Sequence, residues 1–259
     1  MPNRALLIKE LEKYFEKRVF AIIFNPSYGN GISEGDEVYF RYFIDEIIKK
    51  EKVTDCIILL SGFGGNLRTA ILCSQILREG ISRYSCFIPS VACSSLSYFV
   101  LQSNKLLLGR RSILTQIDPI FSYDGDDLRA IKHLNDPNPK IREIAHAMHN
   151  PVFENLKRVI KTRPNVFSKE VAKNSQQGTE YLIKTADFWM GKDFHNSGLK
   201  FSDLERLKVV YSVVPEEIIQ IAKQLVNACL EELTIEDQRF VIQTNRIEDE
   251  MYYGGFFYS

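Results

Sequence analysis

The chain has 259 residues, of which 45% are hydrophobic and 25% charged, with 33 basic residues against 33 acidic ones. This composition excludes disordered and collagen-like classes, and a chain of this length can bury about 70–75% of its unfolded surface. The balanced charge exerts no long-range pull on nucleic acid or anionic lipid, so neither is an expected partner.

The opening stretch MPNRALLIKELEKYFEKR sets acidic side chains inside an apolar pattern of helical period, which predicts an amphipathic helix and no secretory leader. β-Branched apolar runs then alternate with segments of helical period: Val19–Phe24, helical Asp36–Lys50, Cys56–Leu60, helical Asn66–Arg78, Tyr84–Pro89, helical Ser94–Ser103. Repeated βα units of this kind predict a parallel sheet buried between helices. Two short apolar segments, Lys105–Gly109 and Ser112–Ile117, are separated by Arg110–Arg111 and predict further strands at the sheet margin.

From Asp126 to about Gln177 the chain turns polar and helical, broken by HLNDPNPK at His133–Lys140, which reads as a helical insertion. A last unit runs from Thr179 through a helix, the turn GKDFHNSG at Gly191–Gly198, a strand at Val209–Val214 and a helix from Pro215 to about Leu233. The tail MYYGGFFYS, Met251–Ser259, fits either a core strand or a segment packed on a neighbouring subunit. The fold class expected is a single α/β domain over 1–259, with an N-terminal helix (1–17), a βα core (18–125), a helical insertion (126–177) and a C-terminal unit with its tail (178–259).

No apolar run approaches the ~20 residues that span a bilayer; Val19–Phe24 and Cys56–Leu60 are among the longest. The five cysteines, Cys56, Cys73, Cys86, Cys93 and Cys229, are odd in number, and three lie in or beside apolar strand-like runs. They read as reduced, buried thiols, which places the protein in the cytoplasm.

Two loops could carry chemistry. SGFGGNL, Ser61–Leu67, puts paired glycines at the carboxyl end of a strand, where backbone N–H groups can approach a ligand oxygen or simply make a tight turn. SVACSSLSYF, Ser90–Phe99, crowds serines where the next strand gives way to a helix, a place for an N-cap or for a nucleophile. His146 and His149, with Glu143 a turn earlier, do not form a metal-binding motif and read as an exposed helical face. Asp124, Asp126 and Asp127 fail calcium-loop spacing and are expected to cap a helix over Leu128–His133. Neither metal nor other cofactor is expected.

Read together, these segments resemble the serine dehydrogenase proteinase family, ATP-independent proteases of the ClpP/crotonase superfamily. Phe63-Gly64-Gly65 is similar to the family's Pro-Gly-Gly-like turn, and Ala92-Cys93-Ser94-Ser95-Leu96-Ser97 to its Ala-Met-Ser-Gly-Gly-Thr loop. Gln102–Leu106, Asp118-Pro119-Ile120 and Gly191–Asn196 match further motifs, so the resemblance covers roughly Val19 to Val214. It implies a ClpP/crotonase-type fold and peptide-bond hydrolysis, with Ser94 as nucleophile, His195 as general base, Asp118 as the orienting carboxylate, and the N–H groups of Gly65 and Ser95 as oxyanion hole. It also implies a peptide or protein substrate and a homo-oligomer.

The chain departs from the pattern at Phe63, Ser95, Leu96, Asn104 and Ile120, and a side chain at Leu96 is expected to tilt the oxyanion amide. Alternatives stay open: Ser95 or Cys93 as nucleophile, and Lys132, Lys161, Lys184 or His133 as base. Two further readings are a catalytically silent scaffold or partner-binding subunit of a larger complex, and acyl-CoA chemistry on the same paired amides.

Overall fold

The computed structural model describes residues 3–26, 31–162, 175–191, 198–207, 209–235, 238, 240–245 and 251–253. In chain order, the first elements are α1 (Arg4–Phe15), β1 (Arg18–Phe24), α2 (Asp36–Phe43) running on into a π-helical stretch Ile44–Ile48, β2 (Asp55–Ser61), α3 (Leu67–Gly80) and β3 (Arg83–Ile88). They are followed by β4 (Val91–Ala92), a 3₁₀ turn Ser94–Leu96, α4 (Ser97–Gln102), β5 (Lys105–Leu108) and β6 (Ile113–Leu114). Next come β7 (Ile120–Tyr123), β8 (Asp126–Arg129), a 3₁₀ turn Ala130–His133, α5 (Pro139–Thr162), α6 (Ser175–Trp189) and α7 (Phe201–Arg206). The chain ends with β9 (Tyr211–Val213), α8 (Glu216–Ile235), β10 (Phe240–Gln243) and β11 (Met251–Tyr253). These elements form two compact units, one of residues 1–113 with 211–259 and one of residues 114–210.

The first unit is α/β, as the alternating pattern predicts. Its seven-stranded sheet has the order β11-β10-β1-β2-β3-β5-β9, in which β1, β2, β3, β5 and β9 run parallel. Strand alternation sends Val19, Ala21 and Ile23 to one face, against α1 and α8, where they join Leu7, Ile8, Leu11, Ile219, Leu225 and Leu233 in one core. Phe20 and Tyr84 point the other way, toward the helices of that face. The Phe20 ring meets Phe43 edge-on at 5.1 Å, and the Tyr84 hydroxyl donates to the Phe99 carbonyl at 3.4 Å. Burial on both faces explains why β1 and β2 read as continuous apolar runs.

One strand of this sheet, β10, was not evident in the sequence. β10 pairs antiparallel with β1 and β11 antiparallel with β10, so the sheet is mixed. Of the tail, Met251–Tyr253 is this edge strand, and residues 254–259 lie outside the described residues. At Ser112–Ile117 only Ile113–Leu114 is a strand, and it does not join the main sheet. Ser112 accounts for the break: its Oγ accepts from the Gly109 N–H at 2.8 Å and donates to the Ile88 carbonyl, folding the chain into a turn.

The second unit corrects the helical reading of Asp126 onward. Residues Asp126–Arg129 are a strand that pairs antiparallel with β7 in the register Ile120↔Arg129, Phe121↔Leu128, Ser122↔Asp127 and Tyr123↔Asp126. Asp124 (φ 54°) and Gly125 (φ 87°) make the two-residue connection, the double positive φ of a type I′ turn whose twist matches the strands it joins. The acidic run is thus a hairpin and caps no helix. α5 buries Ala145, His149, Val152, Leu156, Val159 and Ile160 along one stripe and carries Pro151 within it. Residues 163–174, in the remainder of the expected insertion, lie outside the described residues.

No helix among the described residues is long and apolar enough to cross a membrane. At Gly125 a Cβ would meet nothing within 4 Å, so the φ of 87° alone sets the cost of adding one. Gly125→Ala is expected to lower stability by about 1 kcal/mol in urea titration; an unchanged midpoint would mean that the turn is not of this type.

Candidate active site

Within the first unit, the loops that leave the carboxyl ends of β1, β2 and β3 are laced together. The Ile32 N–H donates to the Gly64 carbonyl at 2.8 Å and the Asn66 N–H to the Ile32 carbonyl at 2.7 Å, bridging Ile32 to Gly65 in parallel fashion. The Gly62 N–H donates to the Val91 carbonyl at 3.1 Å and the Cys93 N–H to the Gly62 carbonyl at 3.2 Å, bridging Gly62 to Ala92. Each side of the Ser61–Leu67 loop is therefore held by a neighbouring loop. Asn66 ends it by accepting from the Thr69 N–H at 3.0 Å as the N-cap of α3.

Ser94 sits where the third loop enters its 3₁₀ turn, at φ 52°, one of four described non-glycine residues in the left-handed region. Serine avoids this conformation at a cost of about 1–2 kcal/mol, and such strain persists only where the surroundings enforce it. The enforcing neighbour is Gly64, at φ 115°, where a Cβ would lie 2.9 Å from Ser94 Cβ and 3.0 Å from the Cys93 carbonyl oxygen. Ser94 is half-buried, whereas Ser95 is 1% exposed and Cys93 half-buried.

The alternation around the Ile32–Gly65 bridge turns the Gly65 N–H away from Ile32. Among the described residues neither the Gly65 nor the Ser95 N–H donates to any acceptor. Two unspent donors therefore lie in the two loops that meet at Gly64 and Ser94. The Ser95 hydroxyl is also buried with no hydrogen-bond partner among the described residues.

Leu96 is accommodated without backbone strain of its own. Its backbone is ordinary αR (φ −68°, ψ −23°), so no glycine is required there. The side chain packs over Gly62, where a Cβ would meet Leu96 Cδ1 at 2.8 Å. The absent Cβ that the family pattern has after the serine is supplied here by Gly62 in the adjoining loop. Phe63, in place of the pattern's proline, is 58% exposed, and Asn104 continues the β3 ladder, exchanging 2.8 and 3.1 Å bonds with Tyr84.

In the second unit, Asp118 is buried and its Oδ2 accepts from Arg129 Nε. Arg129 reaches it because β8 folds back on β7, and the Ala130 N–H bond to the Pro119 carbonyl at 2.9 Å fixes the register beside Asp118. This partner was not foreseen, although the Asp-Gly hairpin signal at Asp124-Gly125 was present. His195 lies outside the described residues, which stop at Gly191 and resume at Gly198.

The alternative bases have other surroundings. Lys132, Lys161 and Lys184 are exposed, and Lys184 pairs with Glu180 at 2.8 Å, so none of them has the buried surroundings a catalytic lysine needs. His133 Nδ1 is 2.7 Å from Asp136 Oδ2, a bond that holds the Asp136 carboxyl below its ordinary range, with help from the Asn138 N–H. His146 is exposed, but His149 is buried and stacked on Phe153 at 5.4 Å, contrary to the exposed face expected. The two imidazoles do not share a surface, and no group of three or more potential ligands for a metal occurs among the described residues.

None of the five cysteines is in a disulfide, and Cys56, Cys73, Cys86 and Cys229 are buried. Burial pushes the Cys56 and Cys73 thiols well up and the Cys86 thiol to about 12, as expected of structural, unreactive cysteines.

No family model matches the chain, and no curated protein matches it in sequence. Among solved structures, similarity extends to a lysine-to-alanine mutant of the 1510-N membrane-bound stomatin-specific protease in complex with a substrate peptide, at 16% identity and a TM-score of 0.47 over 71% of each chain. A serine-to-alanine mutant of that protease has 16% identity and a TM-score of 0.45, over 73% of this chain and 79% of that one. A probable enoyl-CoA hydratase/isomerase from Mycobacterium abscessus has 12% identity and a TM-score of 0.42, over 81% of this chain and 72% of that one.

If Gly64 must lack a Cβ beneath Ser94, Gly64→Ala is expected to cost about 3 kcal/mol, combining a forbidden φ with overpacking. Phe63→Ala, one residue away and exposed, is expected to stay within about 0.5 kcal/mol of wild type. Equal effects of the two in denaturant titration would contradict the close approach.

Proposed function

We propose that the chain is an ATP-independent serine hydrolase of ClpP/crotonase type that cleaves peptide bonds, with Ser94 as its nucleophile. The observation that carries this reading is the strained Ser94, held at positive φ over Gly64 with the unspent N–H groups of Gly65 and Ser95 in the same two loops. Such strain persists only where the surroundings enforce it, and a nucleophile gains from it a raised and fixed hydroxyl.

In this mechanism Ser94 Oγ attacks the acyl carbon of the scissile amide and gives up its proton to the His195 imidazole. Asp118 holds the imidazole in the tautomer that can take that proton; the roles of His195 and Asp118 rest on the sequence resemblance. The oxygen that becomes negative accepts from the Gly65 and Ser95 N–H groups, and each such donor is worth about 10²–10³ in rate. The imidazolium returns the proton to the departing amine, and water repeats the sequence on the acyl-enzyme. A peptide or protein substrate, a homo-oligomeric assembly and a cytoplasmic location belong to the same proposal.

Intact-mass detection of fluorophosphonate labelling tests it. Wild type is expected to gain one adduct, and Ser94→Ala and His195→Ala to lose it with unchanged circular dichroism. A folded wild type that takes up no label would overturn the hydrolase reading in favour of a silent scaffold.

A further inference from the structure

We infer that Phe63 is a specificity-determining residue, selecting substrates that carry an apolar side chain on the acyl side of the bond Ser94 attacks; this rests on the serine-hydrolase reading above. Phe63 stands between two glycines whose backbones are both fixed. The Gly62 N–H donates to the Val91 carbonyl at 3.1 Å, the Gly62 carbonyl accepts from the Cys93 N–H at 3.2 Å, and the Gly64 carbonyl accepts from the Ile32 N–H at 2.8 Å. A Cβ at Gly62 would meet Leu96 Cδ1 at 2.8 Å and Phe24 Cβ at 2.9 Å, so that side of the loop faces the core. Successive side chains of an extended segment leave opposite faces, and Phe63 therefore turns outward. It is the one exposed phenylalanine among the described residues.

A single exposed apolar side chain is ordinary on a protein surface. Phe63 is not single. The parallel bridge of Gly62 to Ala92 sets Phe63 beside Cys93, and Ala92 is buried whereas Val91 and Cys93, on either side of it, are half-buried. On its other edge β4 pairs with β6, where the Ile113 N–H donates to the Ser90 carbonyl at 2.7 Å and the Ile113 side chain is 48% exposed. Phe63, Val91, Cys93 and Ile113 thus make an outward apolar shelf on three neighbouring segments, about 10 Å between the outer two.

Ser94 follows Cys93 directly, and the unspent N–H groups of Gly65 and Ser95 lie in the same two loops. A substrate whose acyl oxygen reaches those donors brings its adjoining side chain to the shelf. An apolar side chain there loses water contact together with the Phe63 ring, which favours binding. A charged one would lose water and find no opposite charge, since none of the four residues carries one. The family pattern has a proline at this place, which offers no aromatic ring, so the preference is a property of this chain.

The test uses two fluorophosphonates with the same reactive group, one with a decyl chain and one with an ethylene glycol chain of equal length. Binding constant and maximal labelling rate are separated for wild type, Phe63→Ala, Ile113→Ala and Val38→Ala. Wild type is expected to bind the decyl probe about tenfold more tightly than the glycol probe. Phe63→Ala, which removes an exposed side chain and is expected to keep the wild-type circular dichroism, is expected to bring the two binding constants within about twofold. Ile113→Ala is expected to reduce the preference about threefold. Val38→Ala, which trims a residue 61% exposed on α2, is expected to retain it. A wild type that labels without preference, a Phe63→Ala that keeps the preference, or an equal loss in Val38→Ala would overturn this inference and leave the hydrolase reading standing. A folded wild type that takes up neither probe would overturn the hydrolase reading and this inference with it.

Discussion

Gly64 has no room for a Cβ because Ser94 stands over it, and the geometry of the first unit's loops follows from that close approach. The approach places Ser94 in the left-handed region and brings the Ser61–Leu67 and Ser90–Phe99 loops into register. Bonds from Gly62 to Val91 and from Ile32 to Gly64 then use up the backbone groups on the outer sides of the glycine turn. The N–H groups of Gly65 and Ser95 are left over. Donors unspent in the folded state cost little to reorganise when charge develops on a substrate oxygen, which is why such sites stabilise oxyanions effectively. Holding the serine costs about 1–2 kcal/mol, which sheet burial on both faces of the continuous apolar runs of β1, β2 and β3 readily offsets.

The second unit solves a different problem, that of keeping a buried carboxylate. Asp118 is matched by Arg129, which the β7–β8 hairpin returns to it, and the same arginine donates to the carbonyl of Gly191, two residues past α6. One side chain thus meets a buried charge and a backbone carbonyl together. Removing it would leave both unmet.

Much of this was legible in the sequence. The βα core could be read because parallel strands buried on both faces are apolar throughout, and β1, β2 and β3 appear within a residue or two of where Val19–Phe24, Cys56–Leu60 and Tyr84–Pro89 predict them. β10 escaped because four residues, Phe240–Gln243, are too few to show a period, and α7 for a similar reason. The hairpin at Asp126–Arg129 was misread although Asp124-Gly125 is a strong turn signal; the acidic run that follows it looked like a helix start. At the site, the resemblance pointed to Ser94 and Gly65, but the positive φ of Ser94 has no signature in residue type. Leu96 looked like an obstacle because its effect depends on Gly62, a residue in another loop that only the fold brings beneath it.

The central claim is that Ser94, and no neighbouring group, is the raised nucleophile. Peptide mapping of the phosphonylated protein by tandem mass spectrometry tests it most directly, since Cys93, Ser94, Ser95 and Ser97 lie within one short peptide and fragment ions distinguish them. The account predicts an adduct on Ser94 Oγ alone. An adduct on Cys93, Ser95 or Ser97, or on a serine outside this loop, would contradict it.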